Sequence, residues 1–426
     1  MAEIIPFPEP AEPVPFQRVG LGYTYDVARV HISVDYLKRR SDGLHGTLTV
    51  DTQQGGHVHE ADHNFGSLAA RVSLAKHLTA RMEGPPWGDI LETFCVSVMR
   101  RERQGAPMLD MASYKDRPRE PDAIERLVPW HAETWLFGEG GSCKGLIATA
   151  MAVCVATGTD FLGLKVRQGN VAYLDWEDDQ DEMGYRLACI CRGFGISVPT
   201  FYWRNCRRGG ALKNQVNQIA KEFTERDISY YVVDSVGLAA GSGNEHTPAE
   251  TSALELFEAL GVLGGTPVCI DHVAKSGIRD KNAPPQIYGS IYKNNLCRYS
   301  WEVKKQQEDE ADEAHVALTH RKTNRSKKWP PVGVRVAFED GGRIVRFDRE
   351  EAQAVALPDD TGVSLKRRMI SYLEVAREAV HPGDLANYLG VPLPHIRAEL
   401  SRNKTAFLRD PRNPELVTLG YHETPA

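Results

Sequence analysis

The stretch that decides the fold reads WLFGEGGSCKGLIATAMAVCVAT and covers residues 135–157. It opens with a short apolar run, continues through a glycine-rich loop and ends in a long apolar segment typical of a helix. Glycines let backbone N–H groups converge on phosphate oxygens, and the start of the following helix adds a favourable dipole. The order of strand, glycine loop and helix therefore predicts a phosphate-binding loop of the G-x-x-x-x-G-K-[ST] kind.

The predicted nucleotide site departs from that signature at two positions. Cys143 stands where the last glycine is expected, and a cysteine is tolerated there if its φ stays negative. Gly145 stands where Ser or Thr would hold Mg²⁺, a position that water can fill. We expect ATP to bind, with Lys144 as the charge on its phosphates, whereas hydrolysis stays open. The predicted nucleotide-binding residues are Gly138, Gly140, Gly141, Ser142, Cys143, Lys144 and Gly145.

Polar residues follow three apolar runs downstream of the loop. Runs of this length, alternating with helical segments, predict an α/β fold with a mainly parallel sheet covered on both faces. The runs are Val171–Leu174, Tyr230–Val233 and Pro267–Ile270. Because the ends of parallel strands face the ligand crevice, Glu177 is predicted to polarise the attacking water and Asp234 to orient Mg²⁺. His272 is predicted to sense the γ-phosphate, with a purely structural histidine as the alternative.

The four motifs together resemble the RepA-type branch of the RecA/DnaB-like hexameric ATPases of phages, plasmids and mobile elements. They read GEGGSxK, YLDWED, VVDS and IDHVAK in this order, and the resemblance spans about residues 129–347. It implies a RecA-like core with ATP and Mg²⁺ as cofactors, Glu177 as catalytic base and His272 as coupling residue. It also implies a homo-oligomeric ring, such as a hexamer, in which a neighbour donates an arginine to the γ-phosphate. Arg298 is the first candidate for that arginine and Arg321 the second.

The rest of the chain is predicted to form smaller domains around this core. Pro382–Leu389 and Pro394–Asn403, joined through Gly390, have the outline of a helix-turn-helix. The predicted organisation is a disordered lead (1–16), an N-terminal α+β domain (17–112), the RecA-like P-loop ATPase domain (122–350), a linker (351–362) and a C-terminal winged-helix-like domain (363–426).

A dense basic segment follows the acidic tract near residue 310. Contacts from such a segment to phosphates give salt-sensitive, sequence-independent binding, so it is a predicted site for single-stranded DNA or another nucleic acid. A solvated loop is the alternative. The net charge of −6 argues only against a coat along nucleic acid. The predicted nucleic-acid residues are Arg321, Lys322, Arg325, Lys327 and Lys328.

Composition places the chain in the cytoplasm with no membrane partner. Its eight cysteines form no C-x-x-C pair, and no apolar run approaches the roughly 20 residues that span a bilayer. The leading hypothesis is an ATP-hydrolysing, DNA-acting motor, either helicase-like or a loader of a mobile element. Two alternatives remain: a non-hydrolysing, nucleotide-dependent oligomeric adaptor for DNA or protein, and an ATPase of recombination or phage defence, whose core chemistry would be the same.

Overall fold

The computed structural model describes residues 16–19, 22–27, 29–105, 108–241, 248–273, 291–306, 311–325, 327–352, 364–376 and 378–420. The chain divides into two compact units. The first comprises Met1–Arg119 with Gln215–Arg226, and the second comprises Glu120–Asn214 with Asp227–Ala426. The predicted lead up to residue 15 and most of the predicted linker (353–362) lie outside the described residues.

The first unit carries a five-stranded antiparallel sheet in which each strand pairs with the next. Its elements are β1 (Phe16–Val19), β2 (Gly22–Val27), β3 (Val30–Arg40), β4 (Gly43–Thr52), β5 (Gly56–Asn64), α1 (Leu68–Arg81) and α2 (Trp87–Gln104). Alternate residues such as Ile32, Val34 and Leu48 are fully buried, because successive side chains of a strand point to opposite faces. The alternating residues on both sides of the turn at residues 41–43 predict a hairpin, and this hairpin is one part of a larger sheet.

The second unit is built on a nine-stranded sheet in the order β14-β13-β12-β11-β6-β10-β9-β7-β8. The strands are β6 (Thr134–Gly138), β7 (Asn170–Asp175), β8 (Tyr202–Asn205), β9 (Ile228–Asp234), β10 (Thr266–His272), β11 (Tyr299–Gln306), β12 (Glu313–Thr323), β13 (Val332–Glu339) and β14 (Ile344–Glu350). Strands β6 to β11 run parallel, and β12 to β14 extend the sheet as an antiparallel meander. The predicted, mainly parallel sheet is confirmed.

Along the chain, helices alternate with the parallel strands, as the alternating pattern predicts. They are α3 (Lys144–Thr157), α4 (Gln180–Phe194), α5 (Leu212–Glu225), α6 (Val236–Ala239), α7 (Ala249–Leu263) and α8 (Ile291–Leu296). Most of α5 belongs to the first unit. Helix α3 is apolar almost all round and nearly wholly buried, which is expected of a helix enclosed within a core rather than exposed on one side. It ends at Gly158, whose φ of 73° gives the left-handed turn that a helix end favours.

Three helices and a small sheet follow at the carboxyl end. They are α9 (Leu365–Ala376), α10 (Pro382–Leu389), α11 (Leu393–Arg402), β15 (Phe407–Arg409) and β16 (Val417–Leu419). Pro382 lies in the first turn of α10, and Gly390 closes that helix with a φ of 60°. Met369, Leu385 and Ile396 share a buried apolar cluster from three helices. The winged-helix assignment of these elements stays a prediction.

Two sequence predictions need correction near the basic segment. The basic run predicts a connection between two strand-like pieces, residues 316–319 and 334–338, but β12 continues through Thr323, which pairs with Tyr299 of β11. Arg321 and Lys322 are therefore strand residues. The charges in residues 304–313 predict a separate charged tract, but this stretch begins inside β11, which runs to Gln306. Among the described residues no helix is long and apolar enough to cross a membrane.

Candidate nucleotide-binding site

The glycine loop leaves the central strand β6 and enters α3. A Cβ atom at Gly138 would lie 2.2 Å from the carbonyl oxygen of Val303 on β11, so only glycine fits there. Gly141 has a φ of 70° and Cys143 a φ of 65°. The condition under which a cysteine is readily tolerated here, a negative φ, is thus not met. This cysteine keeps the left-handed backbone that a glycine would adopt, at a cost of about 1 kcal/mol.

Lys144 is folded back onto the loop that it follows. Its Nζ donates to the carbonyl oxygens of Gly138 (3.1 Å) and Glu139 (2.6 Å) and contacts Ser142 Oγ (3.2 Å). The side chain is buried, and burial lowers the pKa of Lys144, while the Asp234 carboxylate opposes this shift. The ammonium group is therefore held where the loop encloses it, close to acidic partners.

The strand ends bring the predicted chemical residues to one edge of the sheet. Gly138 at the start of the loop pairs with His272 on β10, and Asp175 on β7 pairs with Asp234 on β9. His272 is exposed beside the loop. Because these strands are parallel, their carboxyl ends lie at the same edge of the sheet.

Asp175 shapes the segment that carries Glu177. Its Oδ1 accepts the backbone N–H groups of Glu177 and Asp178, both at 2.9 Å. Its Oδ2 accepts Trp203 Nε1 at 3.0 Å, and the Asp175 side chain is fully buried. Glu177 is exposed, near enough to Lys144 to influence its pKa. A general base needs this combination of solvent access and a fixed backbone.

Helix α4 begins directly after the Glu177 segment. Asp179 Oδ1 accepts the backbone N–H groups of Asp181 and Glu182, both at 3.0 Å, so Asp179 is the N-cap that the acidic run predicts. Because Asp179 caps the helix, the exposed Glu177 side chain is available for chemistry.

Asp234 is buried at the end of β9. Tyr173 Oη donates to its Oδ2 at 2.5 Å, and burial raises the pKa of Asp234 to about 7. Among the described residues, no three His, Cys, Asp or Glu side chains come together as metal ligands. Because Gly145 has no side-chain oxygen and one Asp234 oxygen already accepts a hydrogen bond from tyrosine, the described residues fit a directly coordinated Mg²⁺ poorly. The magnesium role of Asp234 stays a prediction.

The structure adds an ion pair beside His272 that the sequence analysis missed. Lys293 Nζ lies 3.1 Å from Asp271 Oδ2, with side-chain exposures of 4% and 1%. Asp271 Oδ1 also accepts the His272 backbone N–H at 2.8 Å. Asp271 directly precedes His272 at the end of the same apolar run, so the sequence did indicate a polar residue at this strand end. Its partner Lys293, however, lies beyond a segment outside the described residues.

The two arginine-finger candidates lie away from the glycine loop of their own chain. Arg298 is exposed, with its Nε 4.0 Å from Glu133 Oε2. It precedes Tyr299, which pairs with Thr134 at the amino end of β6, so it sits at the sheet edge opposite the loop. The role of Arg298 as an arginine finger stays a prediction.

Arg321, the second candidate, has a partner in its own chain. Its Nε donates to Glu302 Oε2 at 2.7 Å, and its Nη2 contacts the same oxygen. Glu302 is buried, so this pair anchors β12 to β11. The arrangement disfavours Arg321 both as a finger and as a phosphate ligand.

The basic segment is less continuous as a surface than its sequence predicts. Lys322 Nζ donates to the carbonyl oxygens of Asn294 (2.6 Å) and Asn295 (2.7 Å), which close helix α8. Arg325 donates to the main chain of residues 130 and 131 at 3.1 and 3.0 Å. Lys327 and Lys328 are exposed, and Lys327 Nζ lies 5.2 Å from the Trp329 ring centre. Of the five predicted residues, these two lysines are the best placed to meet phosphates.

A glycine loop between a central strand and a buried helix, with acidic residues at the neighbouring strand ends, is the arrangement of a RecA-like P-loop fold. Residues 100–277 match the family described as AAA domain. No curated protein matches the chain. A KaiC-like protein from the hyperthermophilic archaeon Pyrococcus horikoshii OT3 is similar at 14% identity over 55% of this chain and 99% of that chain, with a TM-score of 0.37.

Proposed function

We propose that the protein binds and hydrolyses ATP and uses the reaction to act on nucleic acid, as a helicase-like motor or loader of a mobile element. One observation carries the proposal. Lys144 is buried in a glycine loop of phosphate-binding shape and lies within electrostatic reach of both Glu177 and Asp234. Loop, cation, base and acid thus converge at one edge of one sheet.

The residues of this chain divide the work in the following way. Lys144 exchanges its contacts with the loop carbonyls for contacts with the nucleotide phosphates, and backbone N–H groups of the loop bind the remaining oxygens. Glu177, positioned through Asp175, accepts a proton from the attacking water. In a ring, each ATP site lies between two copies of the chain. Arg298 of the neighbouring copy approaches the γ-phosphate of the bound ATP. Magnesium, when bound with ATP, would neutralise phosphate charge.

The experiment measures phosphate release with and without single-stranded DNA. The intact protein should hydrolyse ATP faster with DNA, Lys144→Ala should lose ATP binding, and Glu177→Gln should keep binding but lose about 100-fold in kcat. Asp181→Asn, an exposed acid in the first turn of α4, is the matched control and should behave like the intact protein. An intact protein without hydrolysis, with or without DNA, refutes the motor.

The nucleic-acid part of the proposal depends on Lys327 and Lys328. Replacing both lysines by alanine should weaken single-stranded DNA binding at low salt. The slope of log binding constant against log salt concentration should become about 1.4 less negative, since each neutralised phosphate of single-stranded DNA contributes about 0.7. Arg346→Ala, an exposed arginine paired with Glu339, is the control. An unchanged salt dependence would place DNA elsewhere on the protein.

A non-hydrolysing adaptor is the second candidate, and the absence of a hydroxyl at Gly145 favours it. In this role ATP binding would change the oligomeric state without phosphate release. Light scattering with ATP and with a non-hydrolysable analogue distinguishes the two, because only the motor needs hydrolysis. A role in recombination or defence would share the same core chemistry.

A further inference from the structure

The first turn of α3 faces a cluster of polar groups at the position of the missing hydroxyl. A Cβ atom on Gly145 would lie 3.5 Å from Asp234 Oδ2, 3.7 Å from Arg186 Nη1 and 4.0 Å from Tyr173 Oη. These are ordinary contact distances, so space does not force a glycine here. Gly145 therefore leaves a small opening between the phosphate loop and the three polar groups.

Arg186 is held firmly in this cluster. It projects from α4, its side chain is 15% exposed, and its Nη2 contacts Asp178 Oδ2 and lies 3.9 Å from Glu182 Oε1. The other guanidinium nitrogen is the one near Gly145. Guanidinium keeps its charge at every physiological pH and presents several donors in one plane, which suits phosphate oxygens.

Asp234 has a partner of its own in the same cluster. Its Oδ2, the oxygen nearest to Gly145, accepts the Tyr173 hydroxyl at 2.5 Å. A metal bound directly to this oxygen would share it with the Tyr173 hydroxyl and would lie close to the Arg186 charge. Like charges at such a separation oppose each other, so the cluster favours the arginine over a metal ion.

We propose that Arg186 is the resident cation of this site and contacts the phosphates of a nucleoside triphosphate or diphosphate, so that binding needs little or no Mg²⁺. The inference rests on the proposed ATP binding. Gly145 leaves the opening through which the guanidinium meets the ligand, and the Tyr173 hydroxyl hydrogen-bonds the Asp234 oxygen that lies nearest to that opening. Arg186 is a binding residue in this scheme.

The test is the affinity of the full chain for ATP and ADP by calorimetry, in buffer with Mg²⁺ and in buffer with EDTA. We expect the two affinities of the intact protein to agree within about threefold. Arg186→Gln should lose about tenfold to a hundredfold of affinity in EDTA, because it removes a charge-assisted hydrogen bond. Gly145→Ser should lose affinity in EDTA and gain dependence on Mg²⁺, since the hydroxyl fills the opening and supplies a metal ligand.

Controls separate the possible failures. Arg192 lies on the same helix, and its guanidinium donates to the Arg343 carbonyl oxygen at 2.8 Å. The control variant Arg192→Ala should bind nucleotide as the intact protein does. Melting curves of each variant, together with the conservative Arg186→Lys, identify loss of folding. If the intact protein binds nucleotide with Mg²⁺ but not in EDTA, this inference is overturned and the proposed ATP binding remains. An unchanged affinity of Arg186→Gln in EDTA has the same meaning. No binding in either buffer overturns the proposed function as well.

Discussion

Removing one partner of the buried pair between Lys293 and Asp271 tests how the strand end beside the loop is held together. The Lys293→Met variant leaves the Asp271 carboxylate with the His272 backbone N–H as its hydrogen-bond donor. Both side chains are at least 96% buried, so water cannot replace the missing ammonium group. Breaking a pair of this kind costs about 3–5 kcal/mol, and we expect that loss near pH 8.

The penalty should depend on pH in a defined direction. Burial already raises the pKa of Asp271 in the intact protein, and Lys293 opposes that shift. Without the lysine the pKa rises further. A carboxyl whose pKa is higher in the folded than in the unfolded state costs stability as the pH rises through the folded value. The loss caused by Lys293→Met should therefore shrink as the pH falls toward about 5.

Urea unfolding followed by circular dichroism at the two pH values is the assay. The double variant Lys293→Met with Asp271→Asn removes the uncompensated charge and should recover about 2 kcal/mol relative to Lys293→Met alone. A loss under about 1 kcal/mol for Lys293→Met, or no recovery in the double variant, would refute the reasoning. Either result would mean that water or another group reaches Asp271.

Three further outcomes are expected. Asp175→Ala should lower kcat for ATP hydrolysis about tenfold, because it frees the segment that carries Glu177. Its affinity for ATP should stay within about twofold of that of the intact protein, and equal losses in kcat and affinity would contradict this. Cys143→Gly should gain about 1 kcal/mol in urea unfolding, because glycine adopts a φ of 65° without strain, and a loss would contradict it. Burial lowers the pKa of His320 to about 3, so stability should fall as the pH drops below about 6.5. Between about pH 7 and 5, His320→Gln should lose less free energy of unfolding than the intact protein does. An equal loss would mean that other titrating groups cause the pH dependence.

The central strands and the loop could be predicted because their signals are local. A buried parallel strand reads as a continuous apolar run, so Tyr230–Val233 was recognised inside β9 and Trp135–Phe137 inside β6. The polar residues after such runs were predicted to converge from topology alone, and Asp175 and Asp234 do lie side by side. The backbone of Cys143, by contrast, follows from the loop conformation and not from its residue type.

The partners of charged residues could not be predicted from local sequence. Arg325 donates to the main chain of Trp130 and His131, almost two hundred positions away, and a basic run alone gives no sign of this. Arg186 reads as an ordinary polar residue on an amphipathic helix, and only the fold places it beside Gly145. Long-range pairing of this kind is decided by which strands and helices become neighbours, which composition does not encode.

The Val303 carbonyl approaches Gly138 so closely that no side chain fits between β11 and the nucleotide loop. Strand β11 begins immediately after Arg298, which is five residues before Val303, or about 17 Å of extended chain. In a ring of the proposed kind, the amino end of β11 would meet the nucleotide of the adjacent subunit, while Val303 lies against the loop of its own subunit. One strand would then take part in two successive ATP sites.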